Sequence, residues 1–372
     1  MVYCCLGAML ILLVLLDGFE STVLPRRITR RWRPTRLYFQ STWRLWRRAA
    51  ALLPAGRYRE NALGVFGPLA LLGLFGVWIF TLILGFASIH RGLATLSAGS
   101  DFRDYLYMSG ETIFTLGYGD VTPDSFSGKF LAVIEAGLGF GFMAVIIGYL
   151  PVLYQSFSRR EQTIALLDGR AGSPPTAAEF VRRLGVKGAC GELERILPEW
   201  ELWCAELLES HLSFPVLGFY RSQHDNQSWL ATLATILDVS ALLVITGGDE
   251  YRRRAELTFA MARHASVDLC LVLWLPPGND PAERLTATEA QQLFALRSQG
   301  DLSPEHLERL NELRALYEPF LQALADFFRF RLPGFVPDRA MPDNWQTSPW
   351  SRRAPGITDL ANIGADEASH FG

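Results

Sequence analysis

The sequence predicts an all-α membrane protein in two parts, and three observations carry that expectation. Residues 62–88 hold no charged side chain, and residues 128–157 hold only Lys129 at the start and Glu135 within. Both runs exceed the ~20 apolar residues a helix needs to cross a bilayer. The mean hydropathy of +0.15 and the 49% hydrophobic share are high for a soluble chain of 372 residues. Beyond residue 158 the pattern changes to apolar and charged residues alternating as they do in soluble helices.

Residues 1–24 form the first element. The apolar run 6–16 is too short alone and reaches residue 24 only by taking in Asp17 and Glu20. It is read as an additional span, with an uncleaved interfacial helix as the alternative. Neither the basic start nor the small-residue cleavage site of a signal peptide is visible. Asp17 and Glu20 lie one turn apart on one face, where Arg26 or Arg27 can pair with them.

Residues 25–60 contain eleven arginines, no lysine and one acid, although the whole chain carries a net charge of only -3. Such a segment stays on the cytoplasmic side, which puts the N-terminus outside and predicts a multi-pass protein of the cell membrane. Arg27, Arg30, Arg33 and Arg36 recur at every third residue, the spacing of a voltage-sensing helix. Thr29, Trp32 and Pro34 among them are wrong for a helix in lipid, and at most one span precedes them. The segment instead suits anionic lipid head groups, with Trp32, Trp43 and Trp46 at the interface. A nucleic-acid partner is not expected.

The outer helix, residues 62–88, measures about 40 Å and crosses with some tilt. Next comes a shorter helix, 102–114, whose acidic start at Ser100 and Asp101 supplies an N-cap. It cannot cross alone. A half-length helix followed by extended backbone is a re-entrant loop, tolerated at membrane depth when it is buried or lines a watery path. The backbone after it is Thr115-Leu116-Gly117-Tyr118-Gly119-Asp120. Its two glycines can turn their carbonyls to conformations other residues resist. Repeated around an axis, such carbonyls replace an ion's hydration shell. The inner helix, 128–157, closes the unit.

Span, short helix, this six-residue string and span, in that order, resemble the pore module of tetrameric potassium channels over residues 61–158. The resemblance implies a pore-loop fold in which Thr115, Leu116, Gly117, Tyr118 and Gly119 bind the permeating potassium ion, with Asp120 shaping the outer mouth. It places Glu111 beside Asp120 behind the filter, where two carboxyls share a proton or Glu111 bonds backbone amides. It makes Gly139 a gating hinge or a close-packing site, and Pro151 a kink nearer the cytoplasmic gate. It also implies a homotetramer with no organic cofactor and no metal beyond potassium. Leu116 stands where valine is commoner and Phe114 where threonine is frequent, so a weakly selective cation pore is one alternative. A non-conducting sensor or scaffold is the other. Glu135 at membrane depth either faces the pore or pairs with Ser109 or Thr112. If Glu111 or Glu135 titrates near neutrality, acid should alter opening.

Residues 159–176 read as a linker and 177–332 as an all-helical cytoplasmic domain. Its helices are expected at 177–184, 191–211, 229–245, 256–275 and 304–328. The run 229–246 is apolar enough to raise a further span, but Asp238 interrupts it. Residues 333–372 read as a disordered tail. Thr246-Gly247-Gly248-Asp249 lacks the spacing of a nucleotide fingerprint and reads as a helix-ending turn. His211, His224, His264 and His306 are scattered without metal-ligand spacing. The polar stretch 222–228 either caps a helix or takes an effector that the sequence does not identify. No nucleophile, histidine and acid constellation argues for an enzyme. The cysteines, Cys4, Cys5, Cys190, Cys204 and Cys270, read as buried free thiols.

Overall fold

A computed structural model describes residues 1–22, 33–184, 189–222, 226–278, 283–297 and 303–337. Among these residues all regular secondary structure is helical. The chain divides into two units, Met1–Gln155 and Ser156–Gly372. The expectations for Arg26, Arg27, Arg30, Trp32, His224 and most of the tail lie outside the described residues, as does the side chain of Cys190.

In the first unit α1 spans Val2–Thr22, α2 Pro34–Ala51, α3 Arg57–Gly92 and α4 Phe102–Ile113, and α5 is Phe126–Ala171. Helices α1 and α3 meet through small residues. A Cβ on Gly7 would sit 2.3 Å from Gly85 O, and one on Gly92 2.4 Å from Cys4 Sγ. Such backbone-to-backbone approach is how helices associate where no water drives them together. Asp17, at the end of α1, is buried. Its carboxylate accepts from Trp78 Nε1 on α3 at 2.9 Å and from Thr35 N at 3.2 Å and Thr35 Oγ1 at 2.5 Å. Arg33, the N-cap residue of α2, gives no side-chain cap. Asp17 therefore supplies from another helix an acceptor for one of the orphan amides at this N-terminus. Glu20 pairs with Arg33 at 3.5 Å.

Within the arginine-rich segment, Pro34–Ala51 form α2. Trp43 and Trp46 both find partners within the protein. Trp43 is buried with its ring 4.8 Å from Phe66, and Trp46 donates from Nε1 to Ala62 O at 2.8 Å. The remaining exposed face carries Leu37, Arg44, Leu45 and Arg48.

Helix α5 corrects the expected linker, because residues 159–171 continue the inner helix. Arg159 and Arg160 mark where the apolar run ends. They do not end the helix, because Ile164 and Leu167 resume an apolar face and are buried. The boundary between the units falls inside α5.

The second unit adds α6 (Ala177–Leu184), α7 (Ala189–Ser213), a 3-10 turn at Pro215–Phe219, α8 (Trp229–Thr246), α9 (Asp249–Leu273), α10 (Ala287–Arg297), α11 (Pro304–Ala315) and α12 (Glu318–Phe328). Among the described residues four helices, α1, α3, α5 and α8, are long and apolar enough to cross a membrane. Every residue of α8 from Trp229 to Leu243 is buried, with α6, α9, α11 and α12 packed against it. That makes α8 the core of a helical domain, apolar all round because it is enclosed by protein. Ser228 caps it, its hydroxyl accepting from Ala231 N at 3.0 Å, and Gly247 ends it as the glycine pair suggested.

The expected helix 304–328 is two helices. Pro319 falls at the start of α12, where its missing N–H costs nothing, so the chain restarts there and drops Tyr317 into the core. Helix α10 was missed, although Thr286 and Glu289 form a capping box visible in the sequence. The tail's first residues are anchored, with Phe335 fully buried and its carbonyl accepting from Ala178 N at 2.9 Å. Cys204 and Cys270 are buried as expected, and burial pushes both thiols up, whereas Cys5 is exposed.

His211 on α7 is buried and 2.8 Å from Leu207 O through Nδ1, so Nδ1 carries the proton. Nε2 then faces Arg160 Nη1 at 3.5 Å as an acceptor. Burial, reinforced by the Arg160 charge, pushes this histidine down to about 3. Between there and the unfolded value near 6.5 only the unfolded chain takes up the proton, so at this residue acidification costs the fold roughly 1 kcal/mol per pH unit. Glu179, held low by Arg182 and Arg183, adds loss of the same sign at more acidic pH. His211→Asn should flatten the slope between pH 6 and 4.5 in denaturant titrations, and an unchanged slope would contradict the assignment.

Candidate ion pathway

The pore helix α4 is positioned by its start and by its buried face. Asp101 accepts from Arg103 N at 2.6 Å while Asp104 accepts from Asp101 N at 2.8 Å, a complete capping box. Tyr105 and Met108 pack with Ala87 and Leu96 in one buried cluster. The helix ends at Ile113, and Phe114 and Thr115 close the last turn through Gly110 O and Thr112 O.

From there the backbone alternates. Thr115, Gly117 and Gly119 have φ of 55°, 62° and 77°. A β-branched residue at positive φ is an outlier that costs ~1–2 kcal/mol. Strain of this kind persists only where the surroundings impose it, and it gathers at functional sites. Among the described residues none of the carbonyls of Thr115 through Gly119 accepts a backbone hydrogen bond. Leu116 and Tyr118 are 54% and 70% exposed, so this strand lies on the surface of the single chain.

Behind it, Tyr107 donates from its hydroxyl to Asp120 Oδ1 at 3.4 Å. Glu111 is buried, and its Oε2 has no hydrogen-bond partner among the described residues. Gly139 meets the end of the pore helix, where a Cβ would lie 2.5 Å from Ile113 O, while Gly137 and Gly141 face open space. Close packing is thus present at Gly139, and Pro151 sits inside a continuous α5.

Glu135 does not face open space. It is fully buried, and Ser109 Oγ on α4 bonds its Oε1, one of the two partners expected. The sequence reading missed His90 on α3, whose Nε2 lies 3.2 Å from Glu135 Oε2 and whose Nδ1 lies 2.9 Å from Thr95 Oγ1. The signal available was a histidine at the end of an uncharged span, a position that reads equally well as an interface residue.

Apolar helices around a capped half-length helix, followed by a backbone of alternating φ, define a multi-pass membrane protein with an ion-channel pore module. Residues 71–155 match the ion channel family. The chain is similar to Protein LctB of Geobacillus stearothermophilus, 39% identical over 84 residues that make up 19% of this chain and 62% of that protein. It is 42% identical over 76 residues to human potassium voltage-gated channel subfamily KQT member 4, covering 20% of this chain and 11% of that one. A longer match, 25% identical over 212 residues, joins it to the uncharacterized membrane protein YdjJ of Bacillus subtilis, covering 55% of this chain and 60% of that protein. The chain thus spans about three fifths or less of these relatives. No solved structure matches the chain.

Proposed function

We propose that this protein is a potassium-selective channel that conducts passively as a homotetramer, without a voltage sensor. The observation that carries this reading is the stretch Thr115 to Gly119, with positive φ at every second residue and carbonyls free of backbone partners. Alternating backbone handedness lets successive carbonyls share one side, and four such strands around an axis supply the oxygens that replace potassium's water. The Thr115 hydroxyl adds one more oxygen, and Asp120 with Tyr107 braces the mouth. One chain offers one strand, which supports assembly from copies of itself. Phe130, Val133 and Phe140, exposed on α5, supply apolar surface for lipid or neighbouring subunits.

Gating belongs to α5. Pro151 removes one helical hydrogen bond there. Because Gly139 rests on Ile113, a bend at Gly139 reaches the last turn before the filter. The mixed Leu37, Arg44, Leu45 and Arg48 face of α2 suits anionic head groups on the cytoplasmic side. The second unit is the cytoplasmic regulator, its effector unidentified. Unit two also holds a cavity of ≈ 400 Å³ lined by Arg159, Arg160, Trp203, Glu206 and Ser210, room enough for a small effector.

Purified protein in liposomes should pass potassium well ahead of sodium and be blocked by barium. Equal permeation of the two ions would favour the weakly selective pore that Leu116 and Phe114 suggest. Well-folded tetramers with no barium-sensitive flux would favour the scaffold reading.

A further inference from the structure

The His90, Thr95, Ser109 and Glu135 side chains are all fully buried, and they join the outer helix, the loop after it, the pore helix and the inner helix. A count of their protons points to one arrangement. Ser109 has a single hydroxyl proton, yet its Oγ lies 3.0 Å from Ile83 O and also in contact with Glu135 Oε1. Both of those are acceptors if Glu135 is ionised, so one contact would then be two oxygens facing without a proton. An unmade bond between buried polar groups is costly. The conflict vanishes when Glu135 carries a proton on Oε1. Glu135 then donates to Ser109 Oγ, Ser109 donates to Ile83 O, His90 Nε2–H donates to Glu135 Oε2, and the Thr95 hydroxyl donates to His90 Nδ1. Each polar atom is satisfied, each donor is used once, and the cluster is neutral, as a site out of water favours.

We propose that Glu135 is protonated in the conducting protein and acts as a neutral positioning residue, holding the pore helix through Ser109 so that the strand after it keeps its alternating backbone. This rests on the channel reading above. Among the described residues no other charged side chain of the packed elements joins the four. On α3 Arg91 turns to Ser100 O at 2.6 Å, on α4 Asp104 is taken up by the capping box, and on α5 Lys129 is exposed. Glu111 is two residues from Ser109, on another side of α4.

Loss of the Glu135 proton would leave Ser109 with two acceptors for one hydrogen, releasing either the outer helix or Glu135. Glutamine copies the neutral acid, its amide NH2 donating to Ser109 and its carbonyl accepting from His90. The full chain in liposomes should therefore keep wild-type potassium flux as E135Q and lose at least tenfold as E135A. Infrared spectra supply a readout independent of conduction. The carbonyl stretch of a buried protonated carboxylic acid should be present in the wild type at neutral pH and missing in E135Q. Absence of that band at neutral pH, or E135Q flux as low as that of E135A, would overturn the proposal. A wild type that shows the band but carries no ion would overturn the channel reading and leave the proton assignment standing.

Discussion

Replacing Gly119 with alanine is expected to abolish barium-sensitive potassium flux, by at least about tenfold, without dispersing the protein. A Cβ at this position meets no atom of its own chain within 4 Å, so the substitution acts through the backbone. With φ at 77°, alanine is strained by ~1–2 kcal/mol in each chain, and relief of that strain turns the peptide. In the proposed tetramer four strained copies around one axis would multiply the effect, and a carbonyl turned from the ion path would remove an oxygen that stands in for water. Gly99→Ala is the control. Its φ of 105° is also positive and its surroundings are equally open, but it lies before the pore helix. Flux retained in the Gly119 variant would remove the filter from the proposed path. Equal loss in both would show that general strain, and not the filter, is being read.

The second large effect concerns Arg284. Its guanidinium, buried between helices, donates to Asp238 Oδ2 at 2.5 Å, to Glu318 Oε2 at 3.1 Å and to Pro333 O at 2.7 Å. Tyr317 donates to the other oxygen of Asp238 at 2.7 Å, and Phe335 lies beneath the guanidinium. Arg284→Met leaves two buried carboxylates, of which only Glu318 keeps a second cation, Arg314, at 3.4 Å. Breaking one side of such a network costs ~3–5 kcal/mol, because the charge left behind is still out of water. Amide exchange across α8 should rise steeply in the variant.

The same site gives a pH signature. Burial, with the Glu318 charge, pushes Asp238 up to about 6 against the pull of Arg284. Between the unfolded value near 3.8 and that one the folded chain holds a proton the unfolded chain lacks, so mild acid favours the fold at this residue. Without Arg284 the recovery in acid should be larger. Exchange in the variant that is unchanged from wild type would show that the network carries no net stability.

Much of the pore was legible because the features involved are local in the chain. The outer helix was expected at 62–88 and spans Arg57–Gly92, and the pore helix at 102–114 spans Phe102–Ile113. Absence of charge fixes a span, and Ser100 with Asp101 fixes a helix start, without reference to anything distant. Departures arose where one element answers another. Asp17 was matched to arginines nine or ten residues on, which lie outside the described residues, and its described partners, the start of α2 and Trp78, were not foreseen. Trp43 and Trp46 were given to lipid because a tryptophan among arginines looks the same whether a helix or a head group covers it. The linker became helix because Ile164 and Leu167 found a core to enter. Pro319 and the Thr286–Glu289 box were readable signals passed over.

The sequence by itself determined where the chain crosses, where a helix too short to cross is capped, and that Gly117 and Gly119 stand where positive φ is cheapest. These follow from charge, length and the missing Cβ, which belong to single residues and their near neighbours. Only the tertiary structure decided that Glu135 meets His90 across 45 positions, that Gly139 lies against Ile113, and that Asp238 is held by Arg284. A buried polar side chain must find its hydrogen bonds somewhere, but the chain's own order does not say where. That choice is made when helices distant in sequence pack and exclude water, leaving each such group only the partners its neighbours bring.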